Sequence, residues 1–421
     1  MRGQVSIFAL SVLAGIAAST ASARTITVET DGSGEFTSIQ EAILESSSGD
    51  IVEVGPGVYY EALTFWGRRI VLRSTDGPEK TIIDGSNETD SIIQLWLNEP
   101  RTLRIVGFTL RAGRGTPIEE PLSSEGGRLG GAVLCNPGSA TFENIWFEGN
   151  TANTGGAVYC GSSGSPLFLD CVFRDNFAGL GGAAATRFAR PVFDHCRFLA
   201  NESVKGGAMY DHEGAIVCRD SVFDGNFATT GGAVYVQFGV GQGRFERVYF
   251  TNNQAPEGAA VYVTDSIVDL DACVVAENAF PFDGYFPAQV HYRAADGMLS
   301  HNVFFSSPER SDVPPTFCEQ GPGPDTTCNL YWPSLPSDGC GVASNSALAN
   351  PRFCAPGRGD FGLRPDSPCL PENDPSGCGG FGPETEPSCP LPAVDIRGLG
   401  GSLDVQTLQD KMIERPPAGA H

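Results

Sequence analysis

The sequence predicts an all-β fold, a parallel β-helix solenoid built from coils of about 25 residues. Two markers recur through the middle of the chain in fixed phase, Gly-Gly-Ala-aliphatic and Phe-x-x-Asn. The first begins at Gly130, Gly155, Gly181, Gly206 and Gly231, and it fades at Gly258. The second lies at 147/150, 173/176, 198/201, 223/226 and 250/253. Two independent markers that share one period indicate stacked structural repeats.

The composition supports strands over helices and excludes one class of partner. The 421 residues include 53 Gly and 26 Phe, and the repeats contain only short apolar stretches between turn residues. Such units favour short strands, each paired in parallel with its counterpart in the next coil. The formal net charge is −23. Because nucleic-acid binding depends on clustered Lys and Arg, we expect no nucleic-acid partner.

The N-terminal residues 1–23 are typical of a secretory signal peptide. Arg2 provides the basic start, residues 5–18 the apolar stretch, and Ala21-Ser22-Ala23 a small-residue cleavage site. No later segment is long and apolar enough to predict a membrane-spanning helix. We therefore expect a secreted, extracellular or cell-surface protein, with the periplasm as a further location, that acts as a monomer.

Residues 24–129 predict an N-terminal cap followed by irregular coils. Ser38 lies in a capping box, and Ile39, Ala42 and Ile43 form one apolar stripe. These features predict a short amphipathic helix over the open end of the solenoid, which needs a cap there. Residues 130–307 predict the regular repeats, residues 308–392 a C-terminal cap rich in Cys, Pro and Gly, and residues 393–421 a flexible tail.

The columns formed by equivalent residues of successive coils predict the core. Positions five before the marker Phe are almost all apolar, and positions two before it are small or apolar. The marker Asn predicts an internal ladder of side-chain amides. Since Asn201 belongs to that ladder, we interpret the glycosylation pattern at 201–203 as structural. Six cysteines of the coils are predicted to be free and buried: Cys135, Cys160, Cys171, Cys196, Cys218 and Cys273.

The C-terminal cap holds seven disulfide candidates: Cys318, Cys328, Cys340, Cys354, Cys369, Cys378 and Cys389. An odd number leaves one cysteine free or paired elsewhere, and the sequence does not define the pairing. The region contains neither a Cys-x-x-Cys pair nor a histidine, which argues against a zinc site.

The paired markers resemble the repeats of the polymorphic outer membrane proteins and of the wider group of secreted, right-handed, pectate-lyase-like β-helices. The resemblance covers about 130–278 and implies a right-handed coil and a surface location. The segment 31–43, followed by 57–61, is similar to the start of pectin methylesterases. That family's Gln-Asp and Asp-Phe-x-Phe-Gly catalytic segments have no counterpart in the coils, because the only Gln-Asp is Gln409-Asp410.

A tyrosine row predicts a glycan-binding surface. Tyr159, Tyr210, Tyr235 and Tyr262 each follow the first repeat glycine by four positions, and Tyr292 is expected to continue the row. Strand alternation turns this row outward if the preceding Val/Met column faces inward. Exposed rings beside polar groups suit a sugar chain. The alternative is that the tyrosines pack against loops.

The strongest break in the repeat lies at 186–213, where charged residues replace small ones. Lys205, Arg187, Asp211 and His212 are the catalytic candidates. Polysaccharide lyases of the resembling fold use an Arg or Lys base, often with calcium. Asp194-His195 is similar to a pectate lyase pair, but the companion Arg-x-Pro-x-x-Arg is missing. The alternative is a solvated charged patch.

These observations favour a secreted or cell-surface protein without enzymatic activity that binds a polysaccharide or another surface component. One alternative is a lyase acting on a uronate polymer, and another is a structural adhesin rod. No cofactor is required. Calcium is the metal that the acidic residues would suit, although the sequence identifies no ligand set.

Overall fold

The computed structural model describes residues 23–118, 127–239, 241–279, 288–307, 310, 312–321, 323–336, 340, 345–356 and 360–384. It confirms the predicted fold class, an all-β parallel solenoid of about 11 turns spaced about 26 residues apart. The predicted signal peptide (apart from its last residue), the predicted tail and Cys389 lie outside the described residues.

Three long parallel sheets run the length of the solenoid. The first sheet contains Thr25–Val28, Ile51–Val54, Val71–Ser74, Arg104–Val106, Thr141–Glu143, Leu167–Leu169, Val192–Asp194, Val217–Arg219, Gln242–Glu246, Ile267–Asp271, Met298–Ser300 and Asp325–Thr327. The second contains Gly57–Tyr59, Thr81–Asp84, Thr109–Arg111, Trp146–Glu148, Val172–Arg174, Arg197–Leu199, Val222–Asp224, Tyr249–Thr251, Val274–Ala276, Val303–Phe305, Leu330–Trp332 and Ala347–Leu348. The third contains Leu63–Thr64, Ile93–Leu95, Val133–Cys135, Val158–Cys160, Ala184–Arg187, Met209–His212, Val234–Gln237, Val261–Thr264, Val290–Arg293 and Thr316–Glu319.

A fourth, smaller sheet lies outside this frame and is called the covering strip here. Its strands are Thr116–Ile118, Gly127–Leu129, Thr151–Thr154 and Phe177–Leu180. Isolated parallel bridges extend it through residues 202–205, 227–230 and 254–257. In the C-terminal cap, Phe353–Ala355 and Asp360–Leu363 form an antiparallel pair. Short 3₁₀ helices span Gly85–Asn87 and Pro371–Asn373.

In-register pairing stacks identical side chains into columns inside the solenoid. The rings of Phe147, Phe173 and Phe198 stack with centroids 4.5 and 4.7 Å apart. A neighbouring column stacks Phe168 on Phe193 at 4.7 Å. All five rings are fully buried. Because every coil offers the same apolar faces to the next, the periodic sequence builds one continuous core.

The marker asparagines form the predicted ladder at the corner after the second sheet. The Oδ1 atom of Asn201 accepts bonds from the backbone N–H and the side-chain amide of Asn176, at 3.1 and 2.9 Å. Its Nδ2 donates to the carbonyl of Phe173 and to Asn226 Oδ1, both at 3.0 Å. This pattern repeats through buried asparagines at 150, 176, 201, 226, 253 and 278.

The paired glycines allow adjacent coils to approach closely. A Cβ atom built on Gly156 would lie 2.0 Å from the carbonyl oxygen of Gly182. Gly155 adopts a left-handed φ of +67°. Side chains at either position would push the coils apart or strain the backbone, which explains why the motif recurs in five successive coils.

The predicted N-terminal helix is present and spans Ile39–Glu45. The Ser38 hydroxyl accepts from the backbone N–H of Glu41 at 3.2 Å, and Ile39, Ala42 and Ile43 are buried. The Glu61 carboxylate accepts from the N–H groups of Ile39 and Gln40 at 2.9 and 2.8 Å. This carboxylate satisfies donors that a helix start leaves unpaired.

The region predicted as a C-terminal cap, 308–392, begins with a further coil, because Thr316–Glu319, Asp325–Thr327 and Leu330–Trp332 pair in parallel in the three long sheets, so the boundary predicted at 307 was wrong. This region contains disulfides Cys318–Cys340 and Cys328–Cys378, and Cys354 is also disulfide-bonded. Cys369 is free, which is one of the two outcomes that the odd number of candidates left open. Its side chain is fully buried in a small apolar cluster that includes Leu370, which places it as a core residue. The six coil cysteines are free and buried, as predicted.

Candidate functional site

The tyrosine row lies on the outer face of the third sheet, but the structure buries it. The four tyrosines are only 2–6% exposed and form a second apolar cluster that includes Leu129 and Ala185. Leu129 belongs to the covering strip, and Ile118 and Leu180 of the same strip pack against this cluster. The prediction of an exposed stripe at Tyr159, Tyr210, Tyr235 and Tyr262 was therefore wrong, because the strip lies over it.

The tyrosine rings stack on one another, so neighbouring rings cover each other's faces. Tyr235 stacks between Tyr210 and Tyr262, with centroid distances of 5.7 and 5.2 Å. His291, not Tyr292, continues the row, since Tyr262 pairs in register with His291. Tyr292 points into the main core and donates to the carbonyl of Val268 at 3.0 Å. Burial raises the pKa of Tyr235 to about 12. In this arrangement the row is a structural layer.

The catalytic candidates Asp211 and Lys205 lie on opposite sides of that layer. Asp211 pairs in register with Thr186 in an inward column and is 1% exposed. The Thr186 hydroxyl donates to its carboxyl group. Burial raises the pKa of Asp211 to about 7. Hydrogen bonds to its carboxyl group from Thr186 and from the backbone of Ile216 and Gly214 oppose this increase. Lys205 belongs to the covering strip, where its Nζ lies 4.9 Å from the ring centroid of Tyr235.

Arg187 and His212 are the two candidates that the structure brings together. They pair in register at the C-terminal ends of two adjacent strands of the third sheet. The Arg187 guanidinium lies 5.4 Å from the ring centroid of Phe188, and the His212 ring lies 5.8 Å from that of Phe238. Asp211 does not share this surface because it points into the core. The four candidates therefore do not form one catalytic site.

One outward position per coil forms a continuous line here called the outer row. It lies two residues beyond the tyrosine position, and Phe188 and Phe238 follow it by one residue, exposed at the adjoining corner. The row contains Trp66, Trp96, Asn136, Gly161, Arg187, His212, Gln237, Thr264, Arg293 and Glu319. The row contains the exposed Trp66 and Trp96, and the exposed Leu97, Phe188 and Phe238 each follow it by one residue.

The outer row begins in a cleft, here called the tryptophan cleft, with a volume of about 300 Å³. Its lining residues are Thr64, Trp66, Gln94, Trp96, Leu97 and Glu99. Trp66 and Trp96 are 63% and 39% exposed, and they occupy equivalent positions of adjacent coils. The Trp96 Nε1 donates to Gln94 Oε1 at 2.9 Å. The covering strip begins only at Thr116, beyond this part of the chain.

Glu99 forms the polar end of the tryptophan cleft. It is 1% exposed, and its carboxylate accepts from the backbone N–H of Gly67 at 3.4 Å and of Leu97 at 3.1 Å. Two backbone N–H groups therefore hold this buried side chain in place beside two exposed indoles.

Sequence reasoning missed this cleft, although a signal for it was present. Leu63 to Trp66 reads aliphatic, polar, apolar, Trp, and Ile93 to Trp96 repeats that pattern 30 residues later. The step is longer than in the regular coils and the glycine pair is absent, so the two segments did not align with the repeat.

The described residues contain one group with metal-ligand chemistry, at another corner. Donor atoms of Asp194, His195 and Asp220 lie within 4.8 Å of one another. Arg247 already donates to both carboxylate oxygens of Asp220, at 2.7 and 2.6 Å, and this bonding lowers the pKa of Asp220. A calcium ion at this corner would compete with that guanidinium. The group is separate from the outer row.

The fold and the repeat define the class of protein, a parallel β-solenoid of periodic coils. Within it, residues 141–161 match the model of the Chlamydia polymorphic membrane protein repeat, which confirms the resemblance over one coil. A search of curated proteins finds no significant match. No helix that the described residues form is long and apolar enough to cross a membrane.

Three solved structures illustrate the fold comparison. Pectin methylesterase from carrot is 13% identical, with 72% of this chain and 88% of that chain covered and a TM-score of 0.38. Pectate lyase Pel9A is 13% identical, with coverages of 83% and 92% and a TM-score of 0.41. The PL6 family alginate lyase AlyGC is 12% identical, with coverages of 86% and 57% and a TM-score of 0.40.

Proposed function

We propose that the protein is an exported or cell-surface solenoid without enzymatic activity, and that it binds a glycan through the tryptophan cleft. The observation that carries the proposal is the pair of exposed indoles, Trp66 and Trp96, beside Gln94 and Glu99. Sugar rings present apolar faces that stack on aromatic rings and hydroxyls that bond to polar side chains. The cleft supplies the aromatic faces, and the partly exposed Gln94 supplies a polar side chain beside them.

We expect a longer glycan to extend from the cleft along the outer row. From Trp96 to Arg187 the row advances three coils, or about 14 Å at the spacing of paired strands. At that point Phe188 adds a further exposed ring, and Arg187 and His212 add polar groups. An oligosaccharide of several residues therefore has contacts along one side of the solenoid.

The surface location rests on two observations. Residues 141–161 match a repeat of membrane proteins, and disulfides in the C-terminal cap suit an oxidising compartment. The signal peptide predicted for residues 1–23 is consistent with export.

Glycan arrays followed by affinity electrophoresis test the proposal. We expect Trp66→Ala and Trp96→Ala each to weaken binding about tenfold or more, as for buried aromatic anchors at other interfaces. Trp146→Ala is the matched control, because Trp146 is a partly exposed tryptophan on the second sheet. Absence of binding, or equal losses in all three variants, would refute the proposal. Release of unsaturated product from a polyuronate would instead favour the lyase alternative.

A further inference from the structure

We infer that Phe188 and Phe238 bind every second sugar ring of an extended β-1,4-linked glycan. The inference deepens the function proposed above, on which it rests, because it names the class of glycan that the outer row takes. The two phenylalanines lie at the corner that follows the outer row, and they are 47% and 51% exposed. Among the phenylalanines that the structure describes, they are the two exposed ones.

Both rings stand at the same structural position, two coils apart. The backbone N–H groups of Phe188 and Phe238 each donate to a carbonyl of the next coil at 3.3 Å. Glu213, the corner residue of the coil between them, donates in the same way at 3.2 Å. The three residues share one left-handed conformation, with φ of +55° at Phe188, +56° at Glu213 and +52° at Phe238. The backbone therefore presents the two aromatic side chains in nearly the same direction.

Folding alone gives no reason for a ring at these positions. Gly, Asn and Asp tolerate a left-handed φ best, and an exposed ring adds nothing to the core. The equivalent corner residues of other coils are polar or small: Glu213, Asp265 and Ala294. An aromatic residue that is both exposed and conformationally unfavourable favours a functional role over a structural one.

The spacing of the two rings matches the repeat of one kind of polysaccharide. Two coils span about 10 Å at the separation of paired strands. An extended β-1,4-linked chain has a two-residue repeat of nearly the same length, and alternate sugars turn the same face to the same side. Each phenylalanine can therefore stack on an equivalent face of alternate sugars. A curved chain, such as an α-1,4- or β-1,3-linked glucan, leaves a straight row after a few residues.

Polar groups lie beside and between the two rings. The Arg187 guanidinium lies 5.4 Å from the ring centroid of Phe188, and the His212 ring lies 5.8 Å from that of Phe238. The Glu213 side chain, on the coil between the rings, is 30% exposed. The sugar between the two stacked ones therefore meets a side chain that can bond its hydroxyls.

Calorimetry with oligosaccharides of equal length tests the class of glycan. The extended set contains β-1,4-linked glucose, mannose, xylose and N-acetylglucosamine chains, and the curved set contains α-1,4- and β-1,3-linked glucose chains. We expect one or more extended chains to bind over about fivefold more tightly than either curved chain of the same length. A smaller gap overturns the inference, while the proposed function stands. If no glycan binds, the proposed function fails and the inference fails with it.

A shifted ring tests the two-coil spacing. Phe188→Ala and Phe238→Ala should each weaken the binding of long extended chains by about fivefold or more. Adding Asp265→Phe to Phe238→Ala restores the number of corner rings but places them three coils apart, so we expect no recovery of affinity. Trp146→Ala is the control for a ring on another sheet, and circular dichroism checks that each variant folds.

Two results would contradict the two-coil spacing and leave the proposed function intact. One is full recovery of affinity in the variant with the shifted ring. The other is unchanged binding in both phenylalanine variants while Trp96→Ala loses affinity. Should a variant not fold, the comparison of extended and curved chains on the unaltered protein still decides the inference.

Discussion

Replacing Asn201 with alanine should destabilise the solenoid strongly, because one side chain serves three coils. The change removes four hydrogen bonds of 2.9–3.1 Å in a fully buried position. Two donors of Asn176, its backbone N–H and its side-chain amide, lose their acceptor. An unsatisfied buried donor costs about 1–3 kcal/mol, so for two donors we expect a loss of about 2–6 kcal/mol in the free energy of unfolding.

Urea unfolding followed by circular dichroism measures this loss as a shift of the midpoint. Asn373→Ala is the control, since Asn373 is exposed and its side chain donates to the carbonyl of Pro365. We expect that control to change stability by less than about 1 kcal/mol. A loss below about 1 kcal/mol for Asn201→Ala would refute the view that the ladder holds adjacent coils together. Because Asn201 is buried, we also expect no glycan at its Asn-Glu-Ser sequence.

Three further predictions concern stability. Burial raises the pKa of Asp211 to about 7 from 3.8, so the folded protein retains a proton that the unfolded chain releases. Stability present below about pH 4 should fall by about 4 kcal/mol as the pH rises to about 7, and Asp211→Asn should remove that component from unfolding curves measured across this range. Tyr235→Ala should cost about 3–5 kcal/mol in urea unfolding, whereas Phe238→Ala should cost less than about 1 kcal/mol, and equal losses would contradict the burial of the tyrosine row. Cys328→Ser with Cys378→Ser opens a link across 50 residues and should destabilise the C-terminal region by about 2–4 kcal/mol, seen as a lower melting temperature measured without reductant.

The repeat made the regular coils predictable from sequence. In-register stacking forces each column to hold residues of similar size, so the positions of Phe168, Phe193 and Asn201 followed from the period alone. The N-terminal helix was also predictable, because its cap and apolar stripe are local features. Such signals depend on neighbours in the sequence or on neighbours one period away.

The sequence left open whether the tyrosines bind a glycan or pack against loops, because it did not predict the covering strip that buries them. Strand alternation correctly turned Tyr210 and Tyr235 away from the main core. Strand alternation alone does not predict whether a second layer of strands covers that outer face. The segment between each marker Asn and the next glycine pair contains residues such as Phe177 and Leu180, and these apolar residues were the available sign of that layer.

The ladder and the glycine column make neighbouring regular coils nearly interchangeable. Each one presents the same amides, rings and close backbone approach to the coil before and the coil after. A gene that gained or lost one such unit would rejoin the asparagine ladder and the glycine column. It would change only the separation between the tryptophan cleft and the C-terminal cap, by about 4.8 Å. The number of repeats thus sets this distance, and evolution can change it one coil at a time.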